Sequence, residues 1–174
     1  MRCITLVLLA ACGGSDPVET PADGTTTDAP YNTAVCLITG HYGDLGAKLG
    51  TTSQGPTTLT ITLDAGPPRD SFFLKLTAGK GAFAGGLATG TFPITGADAT
   101  FNDCGLCTNI IADIVTGSGP QKFYFADSGS ITLTSTSPPV GTAQDLHLVE
   151  VNIASGTPVP GGCDATIAAM AFGT

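Results

Sequence analysis

From Tyr31 onward the chain is written in short runs where every second residue is apolar, and no other feature limits its fold as tightly. Thr57 to Asp64 reads TTLTITLD, which puts Leu59, Ile61 and Leu63 on one face and threonines on the other. A period of two is that of a β-strand, and β-branched residues suit its wet side. Ser71 to Thr77 repeats the pattern, with Phe72, Leu74 and Leu76 inward and Lys75 outward. Gly66-Pro67-Pro68-Arg69-Asp70 between them reads as a turn, because neither strand nor helix runs through paired prolines. Asn109 to Val115 aligns Ile110, Ala112 and Ile114. Lys122 to Ala126 (KFYFA) and Ser130 to Thr134 (SITLT) read as a hairpin closed by Asp127-Ser128-Gly129. No sustained 3.6-residue period competes with these runs. Roughly nine or ten strands are expected, and the fold class is all-β. One antiparallel β-sandwich over residues 31–174 is the leading architecture, with a closed β-barrel as runner-up.

Three stretches are less regular. Between Asp145 and Ser155, Leu146 and Leu148 alternate in one phase and Val151 and Ile153 in the other. A β-bulge near Val149-Glu150 would bring all four to the core; the alternative is a central strand apolar on both faces. Cys163 to Phe172, CDATIAAMAF, reads as a closing strand. Gly79-Lys80-Gly81 and Gly85-Gly86 lack the G-x-x-x-x-G-K-[ST] spacing of a phosphate loop and read as a mobile turn about Phe83.

Charge narrows the function classes. Only 11% of the 174 residues are charged, and 6 basic against 14 acidic residues give a net −8. An acidic surface of this kind argues against a nucleic-acid partner. The 24 Gly and 12 Pro follow no Gly-X-Y period, which excludes collagen.

The first twelve residues are of another kind. Met1-Arg2 is a minimal positive start, Ile4 to Leu9 is a short apolar run, and Leu9-Ala10-Ala11-Cys12 fits the bacterial lipobox. The run is too short for a transmembrane helix, which needs about 20 apolar residues. In this reading residues 1–11 are a lipoprotein signal peptide and Cys12 carries diacylglycerol and an N-acyl chain. Two or more acyl chains anchor stably where one would be marginal. Removing the first 11 residues leaves 163 and, with Arg2 gone, a net charge of −9. Gly13, rather than Asp, after the cysteine favours the outer membrane by analogy with the enterobacterial sorting rule. Gly13 to Pro30 has one Val and no larger apolar residue, so residues 12–30 form a flexible tether.

With Cys3 in the signal and Cys12 under lipid, Cys36, Cys104, Cys107 and Cys163 remain. An even number in an oxidising compartment points to two disulfides. Cys36 with Cys163 is the favoured pairing, which leaves Cys104-Gly105-Leu106-Cys107 to close a small ring. The rival is that Cys104 and Cys107 each reach a distant cysteine. Redox chemistry would need a helix N-terminus after Cys107, where TNIIADIV reads as strand, and a zinc site would need two close pairs. His41 and His147 lie in neither a metal-ligand spacing nor a triad pattern, and His147 alternates outward between two leucines. Asp98 with Asp103, and Asp113 with Asp127, sit in or near turns where Asp caps backbone groups, and no Trp is present to stack on a sugar. No catalytic, metal or cofactor residue is assigned.

Cys104-Gly105-Leu106-Cys107 through Phe123-Tyr124-Phe125-Ala126-Asp127-Ser128-Gly129-Ser130-Ile131, and again Leu146 to Val151, resemble the uncharacterised secreted lipoproteins of myxobacterial type. The resemblance implies a lipobox, a low-complexity tether, a C-x-x-C and a paired strand motif, and it carries over no catalytic residue. The expectation is a lipid-anchored cell-envelope domain that binds or supports, its membrane contact made through Cys12 and its protein or glycan partner open. A small envelope hydrolase or carbohydrate-active enzyme on the same scaffold is the alternative.

Overall fold

The computed structural model describes residues 41–52, 54–66 and 68–173. The expected signal peptide and tether, with Cys12 and Cys36, lie outside the described residues. The alternating runs become strands: β1 His41–Leu49, β2 Thr58–Asp64, β3 Arg69–Leu76, β4 Gly90–Pro93, β5 Leu106–Ile114, β6 Lys122–Thr136, β7 Pro139–Asn152, β8 Thr157–Pro158 and β9 Asp164–Gly173. Helix among the described residues is confined to two 3-10 turns, Gly81–Phe83 and Gly96–Ala99. The fold is all-β. Leu59, Ile61, Phe72 and Leu74 are almost wholly buried, as their alternation requires. Each such side chain contributes about 1.5–3 kcal/mol of burial.

The strands form one sheet in the order β1-β9-β7-β6-β5-β3-β2, with β4 beside β6 and β8 beside β7. β1 and β9 run parallel and the other pairs antiparallel. The two ends of this order meet where Thr51 and Thr60 exchange N–H···O bonds of 2.9 Å. The sheet is therefore curled almost shut around one core, which is the barrel rather than a pair of facing sheets.

Curling is made possible by a crease that crosses four neighbouring strands. The core takes Tyr42 then Leu45 on β1, Ile167 then Met170 on β9, Ala143 then Leu146 on β7, and Ala126 then Ile131 on β6. Each interval is odd, so the inward face changes phase within every strand. Pairing slips between Asp44 and Ala47 and between Ala126 and Ser130, while β7 and β9 stay in register because both change phase together. Such bulges sharpen local twist and bend strands toward closure.

The crease corrects two expectations. Asp127-Ser128-Gly129 is no hairpin turn; β6 runs straight through it, and the chain reverses at Ser137-Pro138. Gly129 (φ 108°) is needed because a Cβ there would lie 2.7 Å from the Asp145 carbonyl oxygen. On β7 the phase changes at Gln144–Asp145, where Asp145 has φ 48°, and not at Val149-Glu150. Beyond it β7 is the strand apolar on both faces. Leu146 and Leu148 enter the main core, while Val149 and Val151 join Phe101, Phe123, Phe125, Cys104 and Cys107 in a second cluster outside the sheet.

The connection from β3 to β5 is packed, not mobile. Phe83 is fully buried and meets Phe92 edge-on at 5.1 Å. The buried Asp98 carboxylate fixes this region by accepting N–H bonds from Ala82 (2.7 Å), Gly105 (2.8 Å) and Leu106 (2.8 Å). Gly105 permits it, since a Cβ there would fall 2.0 Å from the Lys80 carbonyl oxygen. Asp98→Ala should lower stability by about 3 kcal/mol by orphaning three donors. Asp98→Asn, which keeps one acceptor oxygen, should cost clearly less. Urea unfolding midpoints at unchanged slope check both.

Candidate functional site

Ionisable side chains gather in two places, one inside the barrel and one outside. The inner group begins with Tyr42 of β1, whose hydroxyl donates to Asp70 Oδ2 on β3 at 2.5 Å. Asp70 Oδ1 accepts the backbone N–H of Asp113 at 2.9 Å, where Asp113 has φ 52°. Burial, followed by the bond to Asp70, raises the Tyr42 phenol far above its ordinary value, so it remains a donor at any working pH. In the same interior, Lys122 is almost fully buried and its Nζ donates to Cys163 Sγ at 3.3 Å. The buried Glu150 accepts the Cys163 N–H at 2.9 Å. These groups are enclosed and hydrogen-bonded, an arrangement that braces strands.

Cys104 and Cys107 are disulfide-bonded to each other, with Cα atoms 5.1 Å apart, as the ring reading expects. Cys163 is also disulfide-bonded, and its partner lies outside the described residues. The backbone N–H groups of Gly105 and Leu106 point at Asp98 rather than at sulfur, so nothing there stabilises a thiolate.

The outer group is a row across four strands. β9 places Thr166 opposite His41 of β1 and His147 of β7, and β6 sets Ser128 opposite His147. His41 Nδ1 and Thr166 Oγ1 are 2.9 Å apart. His147 Nδ1 lies 2.7 Å from Asp127 Oδ1, and its Nε2 lies 3.4 Å from Asp164 Oδ2. Only the imidazolium can donate at both nitrogens. The hydrogen bond to Asp127 raises the His147 pKa, with both carboxylate charges adding to the effect and partial burial opposing it. Both nitrogens are engaged, so His147 offers no free lone pair for proton abstraction.

His147 does face outward, but in a carboxylate clasp that sequence reading missed. Residues 127, 147 and 164 meet only through the β6–β7–β9 register; the one local signal was an outward charge on each strand. The carboxylate pairs do not assemble. Asp98 binds backbone, while Asp113 is buried and Asp127 faces out. Among the described residues, no three His, Cys, Asp or Glu side chains converge to hold a metal ion. Along the crease, an outer concavity of about 320 Å³ is floored by Ala47, Ala169 and Ala171 and edged by Asp44, Thr142 and Gln144.

Compared with protein-family models, curated proteins and solved structures, the chain matches none.

The clasp makes a pH-dependent prediction. Because the folded pKa of His147 is raised, its contribution to stability is complete below the unfolded value of about 6.5 and is lost as pH rises through the folded value. Imidazole NMR titration should place the His147 midpoint above that reference, and Asp127→Asn should bring it down.

Proposed function

We propose that the chain is a lipid-anchored cell-envelope β-barrel that acts by binding or mechanical support and not by catalysis. The observation that carries this reading is Leu9-Ala10-Ala11-Cys12 behind a short apolar run and Arg2. Three features of the domain agree with it. Disulfides suit an oxidising compartment. The barrel interior is filled by side chains such as Phe72, Phe83, Ile110 and Ile131, so contact with a partner falls to the outer surface. The polar row and the crease concavity lie on that surface, and within the row His147 is held between two carboxylates.

Acylation of Cys12 also bears on the bridges. Cys104 and Cys107 hold each other, so with Cys3 removed and Cys12 under lipid, Cys36 is the partner left for Cys163 in the mature chain. A crosslink closing more than a hundred residues stabilises by about 4–5 kcal/mol in the chain-entropy description.

Cys12→Ser should move the protein from the membrane fraction to the soluble envelope fraction and abolish incorporation of a palmitate analogue. Continued labelling of the variant would overturn the assignment. Thiol titration of the unfolded, unreduced mature protein should find no free thiol among Cys36, Cys104, Cys107 and Cys163, and two or more would reopen metal binding.

A further inference from the structure

The strand directions place several chain segments at one end of the barrel. β1 begins there at His41, β9 begins there after Cys163, β7 ends there at Asn152, and β5 ends there at Ile114 just before β6 begins. Everything that links the domain to Cys12 therefore joins it at this end. Two connections project from the same end, residues 115–121 between β5 and β6 and residues 153–162 around β8.

Both connections are unusual for so acidic a chain. Val115 to Gln121 reads VTGSGPQ and Val151 to Gly162 reads VNIASGTPVPGG, without a single Asp, Glu, Lys or Arg. The neighbouring β2–β3 connection carries Asp64 and Arg69, which cancel. Of the three exposed large apolar side chains among the described residues, two sit on these connections, Val115 (36% exposed) and Ile153 (47%). Between the two connections opens a mixed concavity of about 340 Å³, where Pro120, Phe123, Val151, Ile153 and Val159 stand beside Gln121, Asn152 and the buried Glu150. The second connection is braced from the side, where Asn102 Nδ2 donates to the Ser155 carbonyl at 3.2 Å.

We infer that this end of the barrel, tipped by Val115 and Ile153, rests on the bilayer that holds the acyl chains of Cys12. The inference builds on the lipid-anchor reading of the preceding subsection. Residues 31–174 hold 10 acidic and 5 basic side chains, a net −5, so an anionic membrane surface repels the domain and it approaches closely only with an uncharged face. The tips supply that face at the end where the chain leaves for its anchor. One Val and one Ile are too little to bind a membrane from solution. Tethering turns the contact into an intramolecular one, and a weak apolar contact is then enough to orient the domain. The third exposed apolar residue, Leu49 (82% exposed), lies at the opposite end of β1 and serves as an internal control.

The chain contains no Trp, so a single introduced indole reports on its own site. Ile153→Trp, Val115→Trp and Leu49→Trp are made in the full acylated protein, extracted from membranes and reconstituted into phosphatidylethanolamine–phosphatidylglycerol vesicles with brominated acyl chains. Emission from I153W and V115W should shift to the blue and be quenched by bromine, while L49W emission stays red and unquenched. Co-flotation of all three with the vesicles, but equal quenching at the two ends or none at either, overturns the resting face and leaves the anchor standing. Failure of the Cys12-intact protein to float overturns the anchor, and the resting face with it.

Discussion

A sheet of seven successive strands can hide its inner face only by bending until its edges meet, and every other feature of this domain depends on that bend. It is produced where β1, β9, β7 and β6 change their inward phase at one level. The backbone conformations it needs fall on Gly46, Gly129 and Asp145, all at positive φ. Because neighbouring strands shift together, Ala143 still faces Met170 and Leu146 still faces Ile167. The core crosses the bend without a gap, and closure then needs only one pair of hydrogen bonds between Thr51 and Thr60. Where backbone pairing between β1 and β2 is sparse, Tyr42 reaches past it to Asp70.

The same economy governs charge. In a chain with few ionisable groups, most of the buried ones act as ties: Asp98 gathers three backbone donors, Asp70 joins β1 to β3 and β5, and Glu150 holds the start of β9. The exposed clasp at His147 is a weaker bond, screened by water and dependent on protonation. Outside it, surface polarity rests largely on Thr, Ser and Gln, as at Thr142 and Gln144.

The parts of this fold that could be read from sequence are those where information is local. Leu59, Ile61 and Leu63, and then Phe72, Leu74 and Leu76, keep one phase over a whole strand, and all six are buried. The ring of Cys104 and Cys107 followed from a spacing that puts the two sulfurs within reach. Gly129 was misread because a glycine that relieves a close strand approach looks, in sequence, like a glycine that turns a hairpin. The difference lies in the carbonyl of Asp145, sixteen residues away and across a strand pair. Phe83, amid glycines, looked like a loop residue, and only Asp98 and Phe92 make it a core residue. The carboxylate clasp was least legible, since it exists only once three strands have fixed their register.

Pairing of β1 with β9 has a temporal side. His41 finds its partner at Thr166, 125 positions later, while the next strand in the chain, β2, is bridged by backbone only just beyond β1, at Thr51 and Thr60. Domains dominated by such distant contacts fold slowly, because the long loop must close before its contacts form. Until β9 has formed, β1 waits beside an absent neighbour. The barrel therefore closes last, when β9 pairs with β1.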